Sequence, residues 1–285
     1  MVSILVTGGD GQLAMCFRDL ESNFPNFEFK YKNSSELDIS NFESVSKLFK
    51  DKAFDWCINC AAFTNVDKAE VDSERAFEVN QIGAKNLALM CKANSVKLIH
   101  ISTDFVFNGT KSFAYSETDD TDPIGVYGLS KLKGEQEIIK YHDAHFIIRT
   151  SWLYSEHGNN FMKTMIKLSK TKNHLKVIVD QIGTPTYATD LAQAILDIVK
   201  KNPINYGLYH YSNEGVASWY DFAKAIFKEK QVILNITPIK SIDYETAAER
   251  PHFSVLDKTK IRTNLHIETP YWRDSLIKAI RKNNE

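Results

Sequence analysis

The sequence has no apolar run that approaches the roughly 18 residues of a membrane span. Val2–Val6 is the opening apolar stretch, and it is too short and lacks the basic flank of a secretory leader. Four cysteines in 285 residues are too few for a disulfide framework. There is no excess of one charge: 35 Lys+Arg against 36 Asp+Glu leave a net −1. That balance argues against general binding of nucleic acid or an anionic membrane, while a local basic patch stays compatible with it. Repeats, low-complexity segments and Gly/Ser-rich linkers are missing as well. With 43% hydrophobic and 25% charged residues the chain is neither disordered nor a coiled-coil rod. The expectation is a cytoplasmic globular protein of one or two domains.

Short apolar strands alternate with helical stretches over the first half. Val2–Val6, Phe27–Tyr31, Asp55–Asn59, Lys97–Ser102 and His145–Thr150 read as strands. Asp10–Leu20, Asn41–Lys50, two segments between Asp67 and Ala93, and Tyr127–Lys140 read as helices. This rhythm predicts an α/β fold, a doubly wound parallel sheet of Rossmann type covered on both faces. After Thr150 the rhythm loosens, and five of the seven prolines lie beyond residue 180. Helices are expected at Asn160–Ser169, Thr189–Lys200, Ser218–Lys228 and Tyr271–Lys282. The expected division is a dinucleotide-binding domain over 1–150 and a smaller substrate lobe over 151–285, with some later segments free to return to the sheet.

Thr7-Gly8-Gly9-Asp10-Gly11-Gln12-Leu13-Ala14 follows the first strand and opens a helix. Gly8 suits a tight turn, and Gly11 lets a pyrophosphate approach the backbone at a helix N-terminus. The spacing departs from G-x-G-x-x-G, so the strand–loop–helix context carries the dinucleotide reading. A site that prefers NAD usually ends its second strand on an acid. Here the strand ends Lys30-Tyr31-Lys32-Asn33. Those lysines suit a 2′-phosphate, and equally suit a solvated surface.

Tyr127 and Lys131 stand at i and i+4, on one face of the helix after the fourth strand. That is the end of the sheet where open α/β folds bind ligands. A free phenol titrates near pH 10, and a neighbouring ammonium lowers that value, so the pair can protonate a carbonyl oxygen as hydride reaches carbon. Ser102-Thr103-Asp104 ends the fourth strand; a hydroxyl there either orients the carbonyl or caps a turn.

Together these motifs resemble the extended short-chain dehydrogenase/reductase family and, within it, the dTDP-4-dehydrorhamnose reductases. The likeness runs nearly end to end. It includes Leu37-Asp38-Ile39, Asn59-Cys60-Ala61-Ala62-Phe63-Thr64, Val66-Asp67-Lys68-Ala69-Glu70, Val79-Asn80 and Arg149-Thr150-Ser151-Trp152. Its more specific stretches are Asp180-Gln181-Ile182-Gly183-Thr184-Pro185-Thr186, Gly207-Leu208-Tyr209-His210, Ser218-Trp219-Tyr220 and Arg250-Pro251-His252-Phe253-Ser254.

The resemblance implies reduction of the C4 ketone of dTDP-4-dehydro-β-L-rhamnose, with NADPH expected and NADH compatible. Tyr127 would be the general acid, Lys131 its activator and a ribose contact, and Thr103 the third catalytic member. Gly8, Asp10, Gly11, Gln12, Leu13, Asp38, Ile39, Ala61, Ala62, Phe63 and Thr64 would bind the cofactor, as would Tyr127 and Lys131. Thr103, Asp104, Phe105 and Trp152 would face the deoxysugar. Asn80 either anchors an active-site water or a helix kink, or is a plain polar helix residue.

Two departures stand out. Phe105 replaces the family's usual Tyr, removing a hydroxyl but keeping a ring. Some members bind a divalent ion such as Mg2+ at a dimer contact; no ligands for it are matched here, and monomer and homodimer stay open. The rivals are a nucleotide-sugar 4,6-dehydratase or 4-epimerase, and a non-catalytic homologue like the regulatory subunit of methionine adenosyltransferase. Dehydratases carry Asp-Glu after the Thr, whereas Phe105 follows Asp104 here. The complete Thr103, Tyr127 and Lys131 set argues against a pseudoenzyme. Cys57-x2-Cys60 lies along an expected buried strand without a second ligand pair and reads as core. The lysine-rich stretch 163–176 reads as a solvated helix face.

Overall fold

The computed structural model describes residues 1–283. Along the first half the order is β1 (Val2–Thr7), α1 (Gln12–Leu20), β2 (Phe27–Lys32), α2 (Phe42–Asp51), β3 (Trp56–Asn59), α3 (Val66–Val71), α4 (Ser73–Phe77), a π-helical turn (Glu78–Ile82), α5 (Gly83–Ala93), β4 (Lys97–Thr103), α6 (Val126–Tyr141) and β5 (His145–Thr150). The second half runs β6 (Leu153–Tyr154), α7 (Phe161–Ser169), β7 (His174–Ile178), β8 (Ile182–Gly183), β9 (Thr186–Tyr187), α8 (Ala188–Lys201), β10 (Gly207–His210), β11 (Ala217–Ser218), α9 (Trp219–Glu229), β12 (Asn235–Ile239), α10 (Thr259–Leu265) and α11 (Trp272–Lys282).

Six strands form one parallel sheet in the order β10-β5-β4-β3-β1-β2. The chain runs outward from β1 to β2, then crosses back to β3 on the other side of β1. Ligands bind in such folds outside the carboxyl ends of the strands, at the point where the order reverses.

Successive side chains point to opposite faces of a strand, and this divides the core in two. Ile4, Val6, Ile58, Ile99, Phe146 and Ile148 pack with residues of α1 and α8. Leu5, Cys57, Leu98 and Ile147 pack on the other face with residues of α2, α5 and α6. Both faces are covered, which is why β3 and β5 are buried along their whole length.

The loosened rhythm after Thr150 has a structural counterpart. α8 returns to the α1 face, and β10 adds to the sheet edge beside β5. The remaining residues form short strand pairs, β6 with β9, β7 with β12 and β8 with β11. They surround a separate core that includes Tyr154, Met162, Phe222, Trp272 and Leu276. The lysine-rich stretch is not one helix face: α7 ends at Ser169 and β7 begins at His174.

Candidate active site

The glycine loop forms the first wall. Gly8 has φ +66°, and a side chain there would come within 2.8 Å of the Ala61 backbone nitrogen. Only glycine fits both demands. Gly11 N-caps α1 without a side-chain cap, and the first turn of that helix carries no acid. The amide dipoles of the helix start are therefore free for an anion. By contrast α2, α3 and α7 are capped by Asn41, Asn65 and Asn160. This cradle fits a dinucleotide pyrophosphate.

Asp10 and Gln12 flank the loop. Asp10 accepts from Asn33 at 2.8 Å, and Gln12 accepts from Asn160 at 2.7 Å, tying the loop to β2 and to the segment before α7. Leu13 and Ile39 are buried and serve the two cores. The Ile39 carbonyl accepts from Asn86, so its side chain and carbonyl are both committed to the protein interior. Asp38 holds Ser40 and pairs with Arg75 at 3.2 Å. Lys30 pairs with Glu28 at 2.5 Å and Lys32 with Glu36 at 3.3 Å, all four being partly exposed.

Ala61, Ala62, Phe63 and Thr64 continue from β3 past Gly8. Phe63 is held at both ends by one buried side chain: Asn80 Oδ1 accepts from its N–H at 2.8 Å and Nδ2 donates to its carbonyl at 3.1 Å. Nδ2 also donates to Ser130 Oγ at 2.9 Å. Asn80 lies in the π-helical turn, where the helix carries one extra residue. It latches the loop after β3 to α6.

Tyr127 sits in the first turn of α6, whose start is held from another helix: Glu70 accepts from the Val126 N–H at 2.8 Å. A side chain at Gly128 would stand 2.2 Å from the Phe105 carbonyl, so α6 reaches the turn after β4 only because residue 128 is glycine. That contact brings Tyr127 to Thr103, Asp104 and Phe105. The Phe105 ring meets Tyr127 edge-on, with centroids 5.6 Å apart. Thr103 Oγ1 donates to Asp104 at 3.2 Å and accepts from the Phe105 N–H at 3.2 Å.

The electrostatics differ from the expectation. Burial pushes the Tyr127 phenol up to about 12, with the Asp104 charge acting in the same direction and a Thr103 hydrogen bond opposing them. Lys131 does not lower it. Its Nζ lies 2.7 Å from the Ile101 carbonyl and 3.3 Å from His100 Nε2. Lys131 is itself pulled down to about 8 by burial, against the favourable charge of Glu135. The i, i+4 spacing placed both groups on one helix face, but the four-carbon lysine stem chose a partner on β4. Asp104 is raised to about 6 by burial, and its Oδ2 has no hydrogen-bond partner.

The family model described as RmlD substrate binding domain matches residues 2–284. A dTDP-4-dehydrorhamnose reductase of Aggregatibacter actinomycetemcomitans is 40% identical, covering 97% of this chain and 97% of that one. The chain belongs to the dTDP-4-dehydrorhamnose reductase family. Two solved structures are similar throughout. One, a reductase of this name from Clostridium acetobutylicum, has TM-score 0.96 and 38% identity, with both chains fully covered. The other, from Bacillus anthracis and in complex with NADP, has TM-score 0.95 and 37% identity over 99% of this chain and 100% of that one.

Within this dTDP-4-dehydrorhamnose reductase family member, Trp152 follows β5 with φ +45°. Its ring stacks on Trp219 at 3.6 Å and 5°. Trp219 donates to Gln181 Oε1 at 3.0 Å, so the stretches around Gln181 and Trp219 meet at this pair. Sequence reasoning gave Trp219 no role; the conjunction of Ser218-Trp219-Tyr220 with Trp152 was the available signal. Asp67 pairs with Arg250 at 2.7 Å, joining α3 to the segment before Ser254. Cys57 is buried and Cys60 packs against the core, as expected of residues on β3 and its exit. Asp19, Glu156 and His157 cluster closely enough to suggest metal ligands, but Lys282 Nζ lies 2.5 Å from Asp19 and 2.7 Å from Glu156, supplying the countercharge.

Proposed function

We propose that the protein reduces the C4 ketone of dTDP-4-dehydro-β-L-rhamnose to dTDP-β-L-rhamnose with NADPH, the last step of dTDP-L-rhamnose synthesis. The observation that carries this reading is the cluster of Tyr127, Thr103 and Asp104 past the carboxyl end of β4, on the same sheet whose β1 leads into the uncapped start of α1, in a chain whose full-length relatives bear that activity's name. When bound, the reduced nicotinamide supplies hydride to the sugar carbon.

The protein's own groups handle the proton. Tyr127 keeps its phenol protonated throughout the neutral range and donates that proton to the ketone oxygen as negative charge develops there. Thr103, hydrogen-bonded to the phenol, favours its ionised form and so eases the transfer. Gly8, Asp10, Gly11, Gln12 and Leu13 would hold the pyrophosphate side of the cofactor. Asp38, Ile39, Ala61, Ala62, Phe63 and Thr64 would line its course. Ile39 would act through its backbone N–H, since its other groups are engaged. Lys131 would leave the Ile101 carbonyl to serve the ribose and Tyr127. Thr103, Asp104, Phe105 and the Trp152–Trp219 stack would receive the sugar, the apolar rings suiting a 6-deoxy methyl group. Lobe residues 151–285 outside α8 and β10 would embrace the nucleotide diphosphate.

The test is turnover by the purified protein. NADPH consumption should depend on dTDP-4-dehydro-β-L-rhamnose and yield dTDP-β-L-rhamnose by chromatography against standards. No consumption, or release of the C4 epimer, overturns the reading.

A further inference from the structure

A row of polar side chains crosses the sheet from the glycine loop to the catalytic helix. Thr7, Asn59 and His100 are ladder partners on β1, β3 and β4, and all three are buried. Thr7 Oγ1 donates to Asn59 Oδ1 at 2.6 Å, and the Ala61 N–H donates to the same oxygen at 3.2 Å. A backbone N–H only donates, so the Asn59 atom facing it must be the oxygen, and the amide has one orientation. Asn59 Nδ2 therefore donates to His100 Nδ1, 2.9 Å away.

A neutral imidazole carries one N–H. With Nδ1 accepting, the His100 proton sits on Nε2, the atom 3.3 Å from Lys131 Nζ. An ammonium has three N–H groups and no acceptor, so it would meet the imidazole donor to donor. An amine instead accepts from His100 Nε2–H and donates to the Ile101 carbonyl, 2.7 Å away, so neither contact sets donor against donor.

We propose that His100 is a positioning residue that holds Lys131 as a neutral amine in this conformation, so that Lys131 takes up its proton only on turning away from His100 towards Tyr127. The other ionisable groups acting on the pair are Glu135 on the helix of Lys131, Cys60 at the exit of β3 and His145 of β5, with Arg149 of β5 paired to Glu135. Burial depresses the proton affinity of both Lys131 and His100, working on Lys131 against the charges of Glu135 and Cys60.

The tautomer is measured on the wild-type protein by through-bond nitrogen–proton correlations of the histidine rings. Across about pH 6–9, His100 should show a bare Nδ1 and a protonated Nε2. A proton on Nδ1, or on both nitrogens, overturns the proposal. The second arm rests on the reductase reading: a charged Lys131 lowers the Tyr127 phenol, so kcat/KM should fall as pH rises through the Lys131 titration. His100→Leu removes the Nε2–H, so an ammonium at Lys131 no longer meets a donor. The basic limb should then move up by about one pH unit; an unmoved limb contradicts the coupling. The arms fail separately. A protein with the stated tautomer that leaves the nucleotide sugar unreduced refutes the reductase reading alone. Turnover with the proton on Nδ1 refutes the coupling alone.

Discussion

Replacing Arg149 by Met removes one partner of an ion pair that has almost no contact with water. Arg149 Nε and Nη2 reach the two carboxylate oxygens of Glu135 at 2.9 and 2.6 Å, and Ser102 Oγ donates to the same carboxylate at 2.5 Å. The two side chains are 4% and 2% exposed. The guanidinium also lies 5.1 Å from the centre of the Phe107 ring. Desolvating both charges costs much of what their attraction returns, so the pair contributes little net stability over an apolar pair of similar volume. Breaking it is different, because the Glu135 carboxylate stays buried with only Ser102. The expected loss is about 3–5 kcal/mol, a large part of the roughly 5–15 kcal/mol that holds a typical domain folded. Arg149→Met with Glu135→Leu should recover most of that loss. The assay is urea unfolding of wild type, both single variants and the double variant, followed by fluorescence and far-ultraviolet dichroism. A loss under about 1 kcal/mol for Arg149→Met, or a double variant no more stable than the worse single one, refutes the reasoning.

Tyr127→Phe should keep the fold and cofactor affinity while kcat drops about 10²–10⁴-fold; steady-state kinetics at wild-type rates would remove Tyr127 as the acid. Gly128→Ala puts a methyl group where the Phe105 carbonyl lies 2.2 Å away, so the start of α6 must shift. Activity should fall at least about tenfold while the protein remains folded by dichroism. Trp152→Ala should raise KM for the sugar nucleotide and leave NADPH affinity, read by fluorescence titration, unchanged. Asp104 has its proton affinity raised in the fold from the ordinary 3.8 to about 6. Its contribution is therefore present below the ordinary value and is lost as pH rises through the folded one, at a cost of about 3 kcal/mol. Asp104→Asn should gain on the wild type over that window, with the difference level above it; urea midpoints from pH 3.5 to 8 measure this.

The sheet was legible because most of its strands are short apolar runs, β3 and β5 being buried along their whole length, and β1 to β5 lie within one or two residues of where the pattern sets them. The start of α1 was not: helix chemistry suggests Asp10, but the turn of Gly8 and the closing bond from Gly11 N–H to the Gly8 carbonyl delay it to Gln12. β10 was hidden because Gly207–His210 is short and far along the chain from the strands it joins. The π-helical turn escaped because one inserted residue leaves the apolar spacing on either side intact.

Tyr127, Lys131 and Thr103 were visible as types at a spacing. The direction of the lysine stem was not, since it depends on a carbonyl of β4 that no motif encodes. Thr7, Asn59 and His100 went unread for a similar reason. They lie on three different strands, and only the ladder register shows that they touch.

The central claim is that the Tyr127 cluster serves delivery of hydride to C4 of a 4-dehydro sugar. Turnover of dTDP-4-dehydro-β-L-rhamnose with NADPH deuterated at the transferable position of nicotinamide C4 tests it most directly. The product should be dTDP-β-L-rhamnose carrying one deuterium at sugar C4, and Tyr127→Phe should produce almost none. Product without deuterium, or with deuterium at another carbon, contradicts the account.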